Sequence, residues 1–149
     1  MVQSATATVA TAPVTAETYQ DIQHFYARHM QASDSHDVVG WADGFAEDGV
    51  FATNAFPDPI NGRAAIAEHS ARAFAAQAEA GIVRRHMMTM LAAVSVADGT
   101  VHTRSYVMVL ETRQGQTPTI YCSTSCEDVL VRQEDDWRVL SRQVRRDDL

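Results

Sequence analysis

The sequence predicts an α+β domain: a cone-shaped α+β barrel in which three N-terminal helices pack on a strongly curved, mainly antiparallel sheet. Three observations carry this. Helical periodicity is confined to the first eighty or so residues and strand alternation to the rest, in the order α-α-β-α-β-β-β-β. Turn signals at Asp98-Gly99, Gln114-Gly115-Gln116 and Glu134-Asp135-Asp136 divide the β half into four long strands. Both faces of the middle hairpin carry apolar residues: Met88, Met90, Val107 and Val109 on one, Met87, Leu91, Tyr106 and Leu110 on the other. Such a sheet must be covered twice, by helices on one side and by another subunit on the other.

Residues 1–15, rich in Ala, Thr and Val without usable periodicity, are expected to form a disordered tail, leaving 16–149 as a single domain. The first helix should run from Ala16 to Ser33, with Thr15 as N-cap and Glu17 in the first turn. Tyr19, Ile22, Tyr26, His29, Met30 and Ser33 fall on one face, a stripe that grows more polar toward its end. Asp34, Ser35 and His36 make a capped break before a shorter helix from Asp37, whose stripe is Val38, Trp41, Ala42 and Phe45. Glu47-Asp48-Gly49 reads as a turn, Val50 to Thr53 as a short strand and Asn54 to Ile60 as a loop. A third helix then runs from Asn61-Gly62 to about Ala80, with Ile66, Ser70, Ala73, Phe74 and Gln77 inward and His69 near that face as a structural residue. Gly81 stops it. Strands follow over Arg84–Val96, Val101–Arg113, Thr117–Arg132 and Trp137–Arg146, and a two-residue type I′ turn at Asp98-Gly99 would set His86 opposite Glu111.

Bulk properties narrow the function. The chain has 149 residues and a formal net charge of −7, with no basic run to attract nucleic acid or an anionic membrane. No apolar stretch is long enough for a membrane span, and the N-terminus lacks the pattern of a secretion signal. All 12 basic residues are arginine, which removes Schiff-base lysine chemistry. Cys122 and Cys126 would lie roughly 13 Å apart along a strand, beyond the about 7 Å a disulfide allows. Free thiols fit a reducing cytoplasm. The histidines are scattered, without metal-ligand spacing, so neither a metal nor an organic cofactor is expected.

Ser33-Asp34-Ser35-His36-Asp37 and Arg85-His86-Met87-Met88-Thr89 hold the ionisable groups of most interest. Phe45-Ala46-Glu47-Asp48-Gly49-Val50-Phe51, Ile60-Asn61-Gly62-Arg63-Ala64-Ala65-Ile66 and Asp136-Trp137-Arg138-Val139 frame them. Together, over Glu17 to Arg146, the chain resembles the SnoaL-like members of the nuclear transport factor 2-like superfamily. The first two segments are similar to those of scytalone dehydratase and hexachlorocyclohexane dehydrochlorinase. The resemblance implies a catalytic dyad in which Asp34 orients the imidazole of His86, the base in proton abstraction and elimination. It places His29 where relatives have an assisting lysine or tyrosine, and Arg142 at a pocket arginine. Ser33 stands where scytalone dehydratase has a substrate-binding tyrosine.

The expected function is a cofactor-independent lyase or cyclase, a dehydratase-type enzyme acting on a small hydrophobic, polyketide-type intermediate of antibiotic biosynthesis. An imidazole held by a carboxylate keeps a fixed tautomer and can take a proton near neutral pH. His29 and Arg142 would position substrate or stabilise developing charge, with Tyr26, Met88 and Asp128 as further substrate contacts. Alternatives stay open for the acid, since Glu111, Glu127 or Asp128 could join the site. Tyr106, Tyr121 and Arg104 could serve as oxyanion partners. His36 and Asp37 read as solvent-facing turn residues. The rival is a non-catalytic ligand-binding or oligomerisation module of the same fold. It would hold Asp34 and His86 apart, whereas the enzyme needs them within about 3.2 Å.

Overall fold

The computed structural model describes residues 9–149. The amphipathic stripe of the first helix becomes α1 (Ala16–Asp34), opened by Thr15, whose side chain accepts the Thr18 N–H at 3.1 Å. It buries Ile22, Phe25, Tyr26, His29, Met30 and Ser33. Asp34 is therefore the last helical residue rather than part of the break. The chain reverses through His36 at φ 60°, and Asp37 caps α2 (Val38–Asp43) by accepting the Gly40 N–H at 3.0 Å. His36 is only half exposed: its ring stacks on Phe74 at 5.2 Å and Nε2 lies 3.3 Å from Gln77.

Thr11–Pro13 forms an edge strand, β1, a correction to the disordered tail expected there, while residues 1–8 of that tail lie outside the described residues. Pairing with β4 supplies the hydrogen bonds that its Ala/Thr composition could not advertise. The strand β2 (Phe45–Thr53) absorbs Glu47-Asp48-Gly49 as an irregularity within the strand instead of a turn. After β3 (Ile60–Asn61), Gly62 at φ 90° admits α3 (Arg63–Glu79). Then come β4 (Ile82–Val96), β5 (Val101–Arg113), β6 (Thr119–Gln133) and β7 (Asp136–Arg146). The sheet order is β1-β4-β5-β6-β7-β2-β3, antiparallel except for the parallel β2–β7 pair. The core lies between helices and sheet, where Ile22, Phe45, Ile66, Leu130 and Val139 are essentially inaccessible. Among the described residues no helix is long and apolar enough to cross a membrane.

Two backbone details correct the expected register. The Asp98-Gly99 connection is not type I′, because only Gly99 has positive φ (86°). Gly99 N–H reaches Val96 O at 3.0 Å and Val96 N–H reaches Thr100 O at 2.9 Å, closing a loop one residue longer. The Asp98 carboxylate holds the Thr100 N–H and hydroxyl at 2.9 and 2.6 Å. The second detail is a bulge between Thr89 and Ala92, with Met90 at φ 55° and 75% exposed. Met90 leaves the face it was expected to share with Met88, and Leu91 turns into the core instead. A bulge adds one residue to one strand and so exchanges the faces beyond it. In consequence His86 pairs with Val109, and Glu111 stands opposite Arg84.

Candidate active site

The C-terminal turn of α1 carries Asp34 to the inner face of β4, where His86 alternates inward with Arg84 and Met88. His86 Nδ1 lies 2.6 Å from Asp34 Oδ1, and the His86 backbone N–H donates to Oδ2 at 3.1 Å. A carboxylate only accepts. Nδ1 therefore carries the ring proton, and Nε2 is left as the free basic nitrogen. Both side chains are largely sheltered, at 25% and 10% exposed.

The pair opens on a cavity of about 280 Å³ between helices and sheet. Its walls are mostly apolar, with Trp41, Phe51, Phe56, Ile66, Val107 and Val109 among them. Ser33, His69, Ser70, Arg84, Tyr121 and Arg142 add polar groups. His69, read from sequence as structural, faces this cavity.

Arg142 on β7 is 2% exposed. Its Nε and Nη2 donate to Asp128 Oδ1 and Oδ2 at 2.9 and 2.7 Å, and Nη1 to His29 Nε2 at 3.1 Å. Asp128 also accepts from the Tyr26 hydroxyl at 2.8 Å and the Cys126 thiol at 3.4 Å. Tyr26 Oη is 2.6 Å from Thr103 Oγ1. Burial works against the guanidinium's charge, but the Asp128 carboxylate outweighs it and holds Arg142 above its ordinary range. Burial, then the Arg142 charge and His86, push His29 well below the usual imidazole value. His29 is thus a neutral acceptor at Nε2. Its ring stacks between Phe25 at 5.3 Å and Trp41 at 4.2 Å, and its Nδ1 is buried with no partner among the described residues.

This geometry places several of the expected residues away from the cavity. His29, Tyr26 and Asp128 stand behind Arg142 rather than lining the cavity, because each points into the space between α1 and the sheet. Met88 and Tyr26 line a separate groove between α1 and β4, on the other side of the dyad, which Asp34 and His86 also border. Asp128, one of the alternative acids, has its oxygens occupied by Arg142, Tyr26 and Cys126. Glu127 points to the opposite face, 3.9 Å from Arg104, and Glu111 pairs with Arg84 at 3.0 Å. Tyr106, 53% exposed, and Arg104 also lie outside the cavity.

Of the three oxyanion candidates read from the sequence, only Tyr121 lines the cavity, and its place at the rim beside Arg84 and Arg146 was not foreseen. Tyr121 is the extra residue where the β5–β6 register shifts, Val109 facing Cys122 and Leu110 facing Ile120. The bulge turns its ring between two arginines, with Arg84 Cζ 3.8 Å from the ring centre and Arg146 Nη1 donating to its hydroxyl at 3.3 Å. Nothing local in the sequence signals that shift.

Residues 14–143 match the SnoaL-like domain family. No curated protein matches the chain. Among solved structures, one from Catenulispora acidiphila in complex with S-DNPA is 36% identical, covering 90% of this chain and 96% of that one, with a TM-score of 0.78. ActVI-ORFA from Streptomyces coelicolor is 32% identical over 89% of this chain and 99% of its own, with a TM-score of 0.81. Aln2 from another Streptomyces species is 30% identical over 92% and 96%, with a TM-score of 0.84.

Proposed function

The chain belongs to the SnoaL-like domain family of the nuclear transport factor 2-like superfamily, and on that premise we propose that it is a cofactor-independent lyase or cyclase of the dehydratase type. Its substrate is a small, largely hydrophobic carbonyl compound of polyketide type. The observation that carries this reading is the 2.6 Å contact between His86 Nδ1 and Asp34 Oδ1 at the wall of an apolar cavity. A non-catalytic module of the same fold has no need to hold that pair together.

In this reading His86 Nε2 removes a proton from the carbon beside the substrate's carbonyl. The electron pair becomes an enolate, which expels a hydroxyl in dehydration or attacks a second carbonyl in cyclisation. Asp34 fixes the tautomer and stabilises the imidazolium that forms. Arg142, held charged and fixed in place by Asp128, borders the cavity as an oriented ion-pair dipole beside the substrate. The cavity is at the small end of ligand pockets and mostly apolar, which suits a compact aromatic intermediate. S-DNPA, the molecule held by the Catenulispora structure, is the first ligand to titrate.

The test is exchange of the α-protons of β-tetralone in heavy water, followed by NMR. Wild-type protein should accelerate exchange, and His86→Ala should lose on the order of 10²–10⁴ of that acceleration. A folded His86→Ala protein that exchanges as fast as wild type removes the base. The setting we infer is cytoplasmic, in keeping with the free thiols of Cys122 and Cys126. The assembly we infer is a homo-oligomer joined through the outer sheet face, where Met87, Tyr106 and Met108 are 47, 53 and 38% exposed.

A further inference from the structure

Elimination needs a proton donor for the departing oxygen as well as a base for carbon, and the cavity's donors can be sorted by what each already does. Thr124 gives its hydroxyl proton to Val107 O at 2.9 Å, and Cys126 gives its thiol proton to Asp128. Burial raises both thiols, Cys122 and Cys126, further from neutral pH. Arg142 keeps its protons, held by Asp128. Ser33, Thr53 and Ser70 are alkyl alcohols, Tyr121 a phenol and Trp41 an indole N–H, all weaker acids than an imidazolium. Arg84 is paired with Glu111, Arg146 with Asp148 and Gln77 with His36. His69 remains. It projects from α3, the helical layer facing β4, into the same cavity as His86. Its ring packs on Phe56 at 5.3 Å, and among the described residues no side chain forms a hydrogen bond with it. A ring steadied by an aromatic neighbour yet uncommitted to any partner is free to hold a proton for substrate.

We propose that His69 is the general acid that protonates the leaving oxygen, acting in the same cavity as the base His86. This assignment rests on the base role of His86. In the step, the Cα–H pair becomes the enolate's as the proton passes to His86 Nε2, and collapse of the enolate then forms the Cα=Cβ bond. The Cβ–O bond breaks with its electrons on oxygen, and a ring N–H of protonated His69 transfers its proton there, releasing water from an alcohol or a phenol from an aryl ether. Both rings then return to their starting states by exchanging one proton each with solvent. The proposal also fixes substrate class: a carbonyl compound with an oxygen leaving group two carbons away.

Two aryl ethers separate the roles. β-Phenoxyethyl methyl ketone releases phenol, a poor leaving group that needs an acid, whereas its para-nitro derivative releases nitrophenolate, which departs unaided. In His69→Asn the ratio of the phenoxy rate to the nitrophenoxy rate should fall on the order of 10²-fold below wild type. A ratio within about threefold of wild type overturns the proposal. Because both rates come from one preparation, partial misfolding cancels, and His69→Gln repeats the comparison should Asn not fold. Wild-type protein that exchanges α-protons but releases neither phenol overturns His69 as acid and leaves His86 standing. Loss of exchange in wild type removes the base, and His69's role with it.

Discussion

Asp34 receives both the ring N–H and the backbone N–H of His86, so one carboxylate sets the tautomer of the imidazole and the seat of its strand. Asp34→Asn should lower β-tetralone exchange on the order of 10²–10⁴-fold with the fold retained, since an amide can donate to Nδ1 and reverse the tautomer. The exchange rate of a variant with wild-type circular dichroism checks this. Asp128 is a different kind of carboxylate. It neutralises a fully buried guanidinium, and Asp128→Ala should cost about 3–5 kcal/mol in urea unfolding by stranding that charge. His29 ties stability to pH. Its native value is depressed by burial and by Arg142, so below about pH 6.5 the unfolded chain binds a proton that the native chain refuses. Stability therefore falls as pH drops from about 6.5 toward 5, by up to about 1.4 kcal/mol per pH unit. His29→Gln should flatten that slope in urea titrations at a series of pH values. Asp34 and His86 were legible as a pair through the resemblance of the residues flanking each to those of SnoaL-like relatives. The partnership of Asp128 with Arg142 was not, since alternation along β6 leaves open whether Glu127 or Asp128 faces inward.

At the scale of elements, helix and strand periodicity located α1, α3 and the four long strands close to their observed limits. The junction between α2 and β2 was beyond its reach. A Cβ at Gly44 would collide with His29 Nδ1, so this glycine lets the junction close over the imidazole that supports Arg142. Gly44→Ala should cost about 1–3 kcal/mol by overpacking, measured by urea unfolding. The Met90 bulge was equally hidden. A residue with a Cβ is disfavoured at positive φ, and here a long-range contact accompanies it: the Tyr19 hydroxyl donates to Leu91 O at 2.8 Å. The same bulge places Leu91 in the core and Met90 in solvent.

For the whole molecule, the sheet has one face under helices and one without cover in a single chain. Met87 pairs with Met108, and Thr89 with Tyr106, so these exposed side chains form a contiguous outer patch across β4 and β5. A homo-oligomer through this face should sediment at a multiple of 16.4 kDa. The double change Tyr106→Glu, Met108→Glu should reduce it to a monomer with the cavity intact, because paired charges cannot be buried against their own copies. A monomeric wild type at micromolar concentration in the ultracentrifuge would remove that assembly.

By itself the sequence determined the fold class, the buried face of α1, and which aspartate and histidine were worth pairing. The first two follow from local periodicity, which a linear chain displays openly, and the third from the resemblance of the segments around Asp34 and His86 to those of the SnoaL-like relatives. Only the tertiary structure decided that Asp34 and His86 touch, that Asp128 is spent on Arg142, that Glu111 belongs to Arg84, and that His69 and Tyr121 face the cavity. Those outcomes depend on register, and register is set by bulges and long-range packing. In a strand, a shift of one residue moves every side chain to the other face.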